Sequence, residues 1–140
     1  MLNEIARRKP DLLLHLGDYQ HDIRRASDIL PDVPILSVPG NCDFSGGAPV
    51  LIHNCGEVAL FITHGHLHRV KQNLGSLKTA ARAVGARVAL FGHTHTPHNE
   101  DDGRLLLFNP GSIAFPRNGR PTFGLIEIDG ARIDALVMSV

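Results

Sequence analysis

The apolar residues of this chain come in short runs, and most of the runs end on a glycine or a polar cluster. Leu2, Ile5 and Ala6 follow helical spacing ahead of Pro10, so residues 1–9 read as a short helix whose Arg7-Arg8-Lys9 end suits the helix dipole. Residues 11–16 are mostly apolar and close on Gly17-Asp18, the pattern of a strand buried on both faces. A helix is predicted over 22–30, with Pro31 beyond its end, and 33–38 reads as a second buried strand stopped by Pro39-Gly40. From Pro49 the rhythm changes, because the apolar runs 50–53 and 58–63 flank Asn54-Cys55-Gly56-Glu57 in the manner of a hairpin. Val70, Leu74, Leu77, Ala80, Ala81 and Val84 share one face of a predicted helix over 70–84, with Gly85 as its stop. Strands are predicted over 87–91, 105–109, 121–129 and 131–137, the last two joined at Asp129-Gly130.

Helices alternate with strands in the first half and hairpins dominate the second, which predicts an α/β fold with a mixed sheet or two packed sheets and helices outside. Length and composition agree with one domain over 1–140, since 140 residues can bury a core without staples and 43% apolar with 20% charged residues is ordinary for a globule. Fourteen basic residues balance fourteen acidic ones, so the chain lacks the electrostatic footprint of a non-specific nucleic-acid binder. No apolar run approaches the roughly 20 residues of a membrane span, and the N-terminus has no signal-like apolar stretch, so the expected location is the cytoplasm. The two cysteines, Cys42 and Cys55, are expected to be unpaired.

Candidate chemistry lies where the predicted strands end. Nine histidines are many for this length, and six fall in two clusters, His64, His66, His68 and His93, His95, His98, each after an apolar run. Gly17-Asp18 and Gly40-Asn41-Cys42-Asp43 likewise follow strands. Each of these two segments alone reads as turn chemistry, and one histidine alone as a hydrogen-bonded core residue. Together they put carboxylate, amide oxygen and imidazole at four strand ends, a donor mixture that suits a hard or borderline divalent metal. His68 and His98 fall outside the repeated His-x-His pairs and are expected at the surface, as are Arg24 and Arg25. Asn109-Pro110-Gly111-Ser112, with Arg117 and Arg120, reads equally well as a tight turn with solvated arginines or as an anion-binding segment.

In this order, Gly17-Asp18, Gly40-Asn41-Cys42-Asp43, Thr63-His64-Gly65-His66 and Gly92-His93-Thr94-His95 resemble the calcineurin-like metallophosphoesterase superfamily. The Cys42-Asp43 variant and the Asn109 to Ser112 segment look most like its small YfcE-like phosphodiesterase branch. The resemblance covers nearly the whole chain. It implies a four-layer α/β sandwich of two sheets flanked by helices, with two divalent metals at the strand ends. Carried over motif by motif, Asp18 would bridge both metals, Asn41, His64 and His93 would complete one site, and His95 would belong to the other. The family takes two further ligands for that second site from an Asp-x-His motif on the first strand of the domain. This chain has no such motif and begins at what reads as the first helix. The expectation is a domain without its first strand, most simply through a start codon assigned too far downstream, and a second metal site weaker than the first.

The implied reaction is hydrolysis of a small phosphodiester or other phosphate ester by a water activated between two metals. Manganese is the first expectation for the metal, with zinc, iron and nickel as alternatives by ligand type. Related enzymes often carry a histidine where Cys42 stands. A thiol is a poor acid, so His66 is the expected proton donor, with Cys42 and Asp43 as further candidates and Asp43 in an orienting role. Two non-catalytic alternatives are a scaffold, as in family members whose metal motifs have decayed, and a metal-sensing domain. The first has no use for intact Asn41, His64, His93 and His95, and the second does not explain the Gly40 to Asp43 loop. Substrate identity and oligomeric state stay open.

Overall fold

The computed structural model describes residues 2–44, 46–117 and 119–140, so Met1, the first residue of the predicted N-terminal helix, lies outside the described residues. In chain order the elements are α1 (Leu2–Arg7), β1 (Leu13–His15), α2 (Asp22–Ile29), β2 (Ile35–Ser37), β3 (Val50–Cys55) and β4 (Val58–Thr63). A single 3₁₀ turn, His66–His68, precedes α3 (Gly75–Ala83), and β5 (Val88–Leu90), β6 (His98–Asp101), β7 (Leu106–Asn109), β8 (Thr122–Asp129) and β9 (Arg132–Ser139) follow.

A five-stranded mixed sheet in the order β3-β4-β5-β7-β6 forms the centre, with β4, β5 and β7 parallel and β3 and β6 antiparallel at its edges. Period-two alternation divides its side chains between two cores. Phe61, Ala89, Phe91 and Leu107 face α3 and pack on Leu77 and Ala81. Leu60, Ile62, Val88, Leu90, Leu106 and Phe108 form the opposite core with Val38, against Leu14, Leu16, Ile126, Ile133 and Val137. This second face is covered by two separate pairs, the parallel β1-β2 and the antiparallel hairpin β8-β9. Helices α1 and α2 lie beyond, where Ile5 and Leu30 pack with Phe123, Leu13 and Met138. The layers are therefore helix, sheet, paired strands, helices, the expected α/β sandwich, with its second layer split into two pairs.

Three details differ from the sequence reading. The predicted helix over 70–84 begins only at Gly75, because Arg69 takes a left-handed φ of 52° and the Asn73 side chain accepts the Gly75 N–H at 2.9 Å. Val70 still enters the core, from a turn, whereas Val84 is 49% exposed and does not share the buried face of Leu77. The hairpin turn is tighter than predicted, since β3 runs through Asn54 and Cys55 and only Gly56-Glu57 lie between the paired residues. Strand β6 has no apolar signal at all in His98-Asn99-Glu100-Asp101, and it forms by pairing its backbone with the buried β7. Among the described residues no helix is long and apolar enough to cross a membrane. Both cysteines are free.

Leu77 is fully buried between α3 and the sheet. Leu77→Ala is expected to lower stability by about 2–5 kcal/mol through lost transfer energy and a cavity. Val84→Ala should stay within about 0.5 kcal/mol. Urea unfolding of both variants checks this, and equal losses would contradict the boundary drawn for α3.

Candidate metal centre

Strands β1 and β2 run parallel, as do β4, β5 and β7, and the segments that follow their carboxyl ends carry the polar groups. Ligands of α/β sheets gather at such ends. Asp18 follows β1, Asn41 to Asp43 follow β2, His64 and His66 follow β4, and His93 and His95 follow β5. Four residues there have left-handed backbones, Asp18 and Tyr19 at φ 60°, His93 at 66° and His95 at 58°. Such conformations cost on the order of 1–3 kcal/mol each for a residue with a side chain, so surrounding contacts must impose them.

Those contacts are specific. The Cys42 N–H donates to Asp18 Oδ1 at 2.9 Å, while Asp43 accepts the Gly40 N–H at 2.8 Å and the Gln20 N–H at 2.9 Å. These bonds tie the loop after β2 to the loop after β1. Glycine is required where the loops touch: a Cβ at Gly17 would stand 2.7 Å from the Gly40 nitrogen, and one at Gly40 would fall onto Asp18 Oδ1. On the other side, the Gly92 N–H donates to the His64 carbonyl at 3.0 Å. Buried Asn109 donates through Nδ2 to the Gly92 carbonyl and to Thr94 Oγ1, each at 3.0 Å, and accepts the Gly111 N–H through Oδ1 at 2.9 Å. Asn109 thus holds the His93 to His95 loop from beneath. The Gly111 amide is committed within its own turn, which favours the tight-turn reading of this segment.

His64 is the centre of the cluster. It is 2% exposed, and its Nδ1 lies 2.6 Å from the Leu16 carbonyl, a distance that requires a donated N–H. The neutral ring then carries a bare lone pair on Nε2. That atom faces Asn41 Oδ1 at 3.2 Å, His93 Nδ1 at 3.2 Å and Asp18 Oδ2 at 3.5 Å. Both oxygens are acceptors and repel that lone pair, so the crowding is relieved by a proton donated from His93 Nδ1, by a second proton on His64, or by a cation between the atoms. The second proton is disfavoured, because burial lowers the His64 pKa against the opposing pull of the Leu16 carbonyl and Asp18. His93 is pushed down to about 4 by burial, then by Lys71 and the neighbouring imidazoles.

A cation fits the donor set. Nitrogen and oxygen ligands sit roughly 2.0–2.2 Å from such an ion, which separates adjacent ligands on one ion by roughly 3.0–3.5 Å at tetrahedral or octahedral angles. The observed spacings fall in that band. The imidazole held by a backbone carbonyl through its far nitrogen is the usual support of a metal-binding histidine. No three His, Cys, Asp or Glu side chains among the described residues close into a metal cage by themselves. The Asn41 amide oxygen adds a further donor atom, 3.2 Å from His64 Nε2.

Of the residues singled out from sequence, Asp18, Asn41, His64 and His93 meet. The His66 ring lies 5.3 Å from that of His64 and 6.0 Å from that of His93, and its buried Nδ1 has no hydrogen-bond partner. His95 stands apart from the four, stacked on Phe115 at 6.4 Å, and shares with Asp18 an open cleft of about 480 Å³. Cys42 also lines this cleft; desolvation and the Asp18 carboxylate hold its thiol above the usual range. Asp43 uses its two oxygens on backbone N–H groups, so it positions the loop. His98 lies on edge strand β6 beside Glu100, and His68 packs edge-on against Phe61. The sequence reading missed Asn109 as a support of the histidine loop and Tyr19 and Phe115 as cleft walls. A buried-strand asparagine just before a proline was the only signal for the first, and two isolated aromatics gave none for the others.

A profile of the calcineurin-like phosphoesterase superfamily domain matches residues 1–131. The chain belongs to this superfamily. It is 38% identical over 120 residues to the Bacillus subtilis protein named probable metallophosphoesterase YsnB, an alignment covering 83% of this chain and 69% of that one. It is 34% identical over 112 residues to phosphodiesterase YfcE of Escherichia coli, covering 73% and 57%. The chain thus spans little more than half of YfcE. Among solved structures, a predicted phosphoesterase from Streptococcus pneumoniae superposes with a TM-score of 0.82 at 30% identity, covering 99% of this chain and 80% of that one. A Vps29 variant from Entamoeba histolytica reaches 0.79 at 19% identity, covering 99% and 87%, and shows the shared fold. The superfamily implies divalent metal cofactors, in agreement with the donor arc around His64.

Stability should depend on pH through these imidazoles. In the unfolded chain they take up protons near pH 6.5, whereas folded His64, His93 and His15 resist protonation until lower pH, each chiefly through burial. The folded state thus binds fewer protons than the unfolded state below about pH 6.5, and stability is lost as pH falls toward 4. For metal-free protein the melting temperature should drop between pH 7 and 5, above the carboxylate range, and His93→Gln should flatten that slope. A slope unchanged in the variant would contradict the account of His93.

Proposed function

We propose that this protein is a metal-dependent phosphoesterase acting on phosphodiesters, and that His64, Asn41, Asp18 and His93 hold the principal metal. The observation that carries this reading is the approach of Asn41 Oδ1, His93 Nδ1 and Asp18 Oδ2 to a single His64 nitrogen, the one opposite the ring N–H donated to Leu16. Similarity to phosphodiesterase YfcE supports the diester as substrate. A divalent ion in this position supplies Lewis acidity to a phosphoryl oxygen and lowers the pKa of water at neutral pH. The donors of nitrogen, carboxylate and amide type suit manganese, with zinc, iron and nickel as competitors.

The residues divide the work by position. Asp18 faces His64 through Oδ2 and also lines the cleft of His95, so it would be the group shared with a second ion. Asp18 and His95 together provide fewer donors than the four around His64, so two ions would bind with unequal strength. Asn109 and Asp43 hold the ligand loops by hydrogen bonds to backbone. His66, whose ring lies beside those of His64 and His93, would deliver a proton to the leaving oxygen. Cys42 remains a neutral thiol and a weak acid at neutral pH.

Manganese titration followed by hydrolysis of bis(p-nitrophenyl) phosphate tests the assignment. Wild-type chain should bind at least one ion and turn over, and His64→Ala or His93→Ala should weaken binding at least about tenfold and abolish most turnover. Full metal affinity in both variants would contradict it. For the proton donor, His66→Ala should slow a methyl diester with a poor leaving group by on the order of 10²-fold while changing the nitrophenyl diester much less. Equal losses on the two substrates would remove His66 from that role.

A further inference from the structure

The metal reading accounts for the polar cluster but not for the ring surface beside it. Tyr19 and Phe115 are 44% and 55% exposed, yet they are not loose surface residues. Their rings lie 5.9 Å apart at 34°, and Phe115 stacks in turn on His95 at 22°. All three line the same cleft as Asp18, together with Pro116 and Arg117. Tyr19 has a left-handed backbone, a costly state for an aromatic residue, and its ring also meets His21 edge-on at 5.8 Å. The Phe115 segment is fixed at both sides: the Phe115 N–H donates to Ser112 Oγ at 3.0 Å and the Arg117 N–H to the His95 carbonyl at 3.2 Å.

Two fixed, water-exposed rings beside a phosphate-reactive centre are the arrangement that a flat ligand group would cover. We propose that Tyr19 and Phe115 form a subsite for a planar ring carried on the phosphate-ester substrate, with the ester phosphate toward Asp18 and His95 and the Arg117 guanidinium adding positive charge. The placement of the phosphate rests on the phosphoesterase reading above. A cleft of about 480 Å³ has room for one ring and its phosphate group, within the usual range of small-molecule sites. Stacking uses the π face that every aryl group and nucleobase possesses, so the wall selects ring over alkyl and discriminates weakly between rings.

Composition supplies the probe. The chain has one tyrosine and no tryptophan, so its near-ultraviolet emission comes from Tyr19 at the proposed subsite. At fixed manganese concentration, phenylphosphonate and a phosphonate analogue of adenosine monophosphate, neither with a hydrolysable ester, should alter Tyr19 emission and bind at least about fivefold more tightly than methylphosphonate, in line with one stacking contact. Phe115→Ala should reduce that preference to about twofold or less, and Phe115→Tyr should restore it. If the nucleoside analogue alone shows the preference, the ring is a nucleobase; if both do, any planar ring serves. Equal binding of phenyl, nucleoside and methyl compounds, a silent Tyr19, failure of all three to bind, or an undiminished preference in Phe115→Ala would overturn the subsite. Ring-dependent binding without any metal-dependent turnover would overturn the phosphoesterase reading and leave the ring subsite standing.

Discussion

The hydrogen bond from His64 Nδ1 to the Leu16 carbonyl, 2.6 Å long, joins the end of β4 in the central sheet to the end of β1 in the covering layer. It fixes the ring between two layers that share no strand pairing. It also decides the chemistry, since a proton committed to Leu16 leaves Nε2 as a lone pair. Without that bond the ring could present either nitrogen, and the approach of Asn41, Asp18 and His93 would carry no implication.

The same site concentrates conformational cost. Left-handed Asp18, Tyr19, His93 and His95 sit at loop positions where the chain leaves a strand sharply. Close contact of Gly17 with Gly40 lets the first two loops meet, and Asn109 props the histidine loop from a strand that contributes no donor of its own. Rigid strands beneath and over-determined loops above keep the Asp18 and Asn41 oxygens close to the His64 and His93 ring nitrogens. On the proposed function, the centre would be preorganised for a cation at the expense of local stability.

Much of this was legible because donor placement follows a simple rule: a glycine or polar cluster after a buried apolar run marks a strand's exposed end. Asp18, Asn41, His64 and His93 obey it, and they are the four that converge. Their companions were less legible for physical reasons. Whether Asp43 meets substrate or backbone depends on a turn three residues long, and its oxygens are taken by Gly40 and Gln20. Strand β6 borrows its order from β7, so its polar sequence shows no periodicity. The 70–84 run kept its helical face in sequence but lost its first turn to the left-handed Arg69. Burial of the sheet's two faces was plain from the continuous apolar runs of β4, β5 and β7, whereas the division of the covering layer into two pairs depends on packing between segments far apart in the chain.

If His64 binds a metal as proposed, its Nε2 is unprotonated in the metal-free protein. Nitrogen-15 spectra of the histidine rings, recorded at neutral pH on metal-free protein and again during zinc addition, test it most directly. His64 should be neutral with its proton on Nδ1 before zinc, and His64 Nε2 and His93 Nδ1 should then shift together as zinc binds. A proton on Nε2, or resonances of both rings unmoved by stoichiometric zinc, would contradict it.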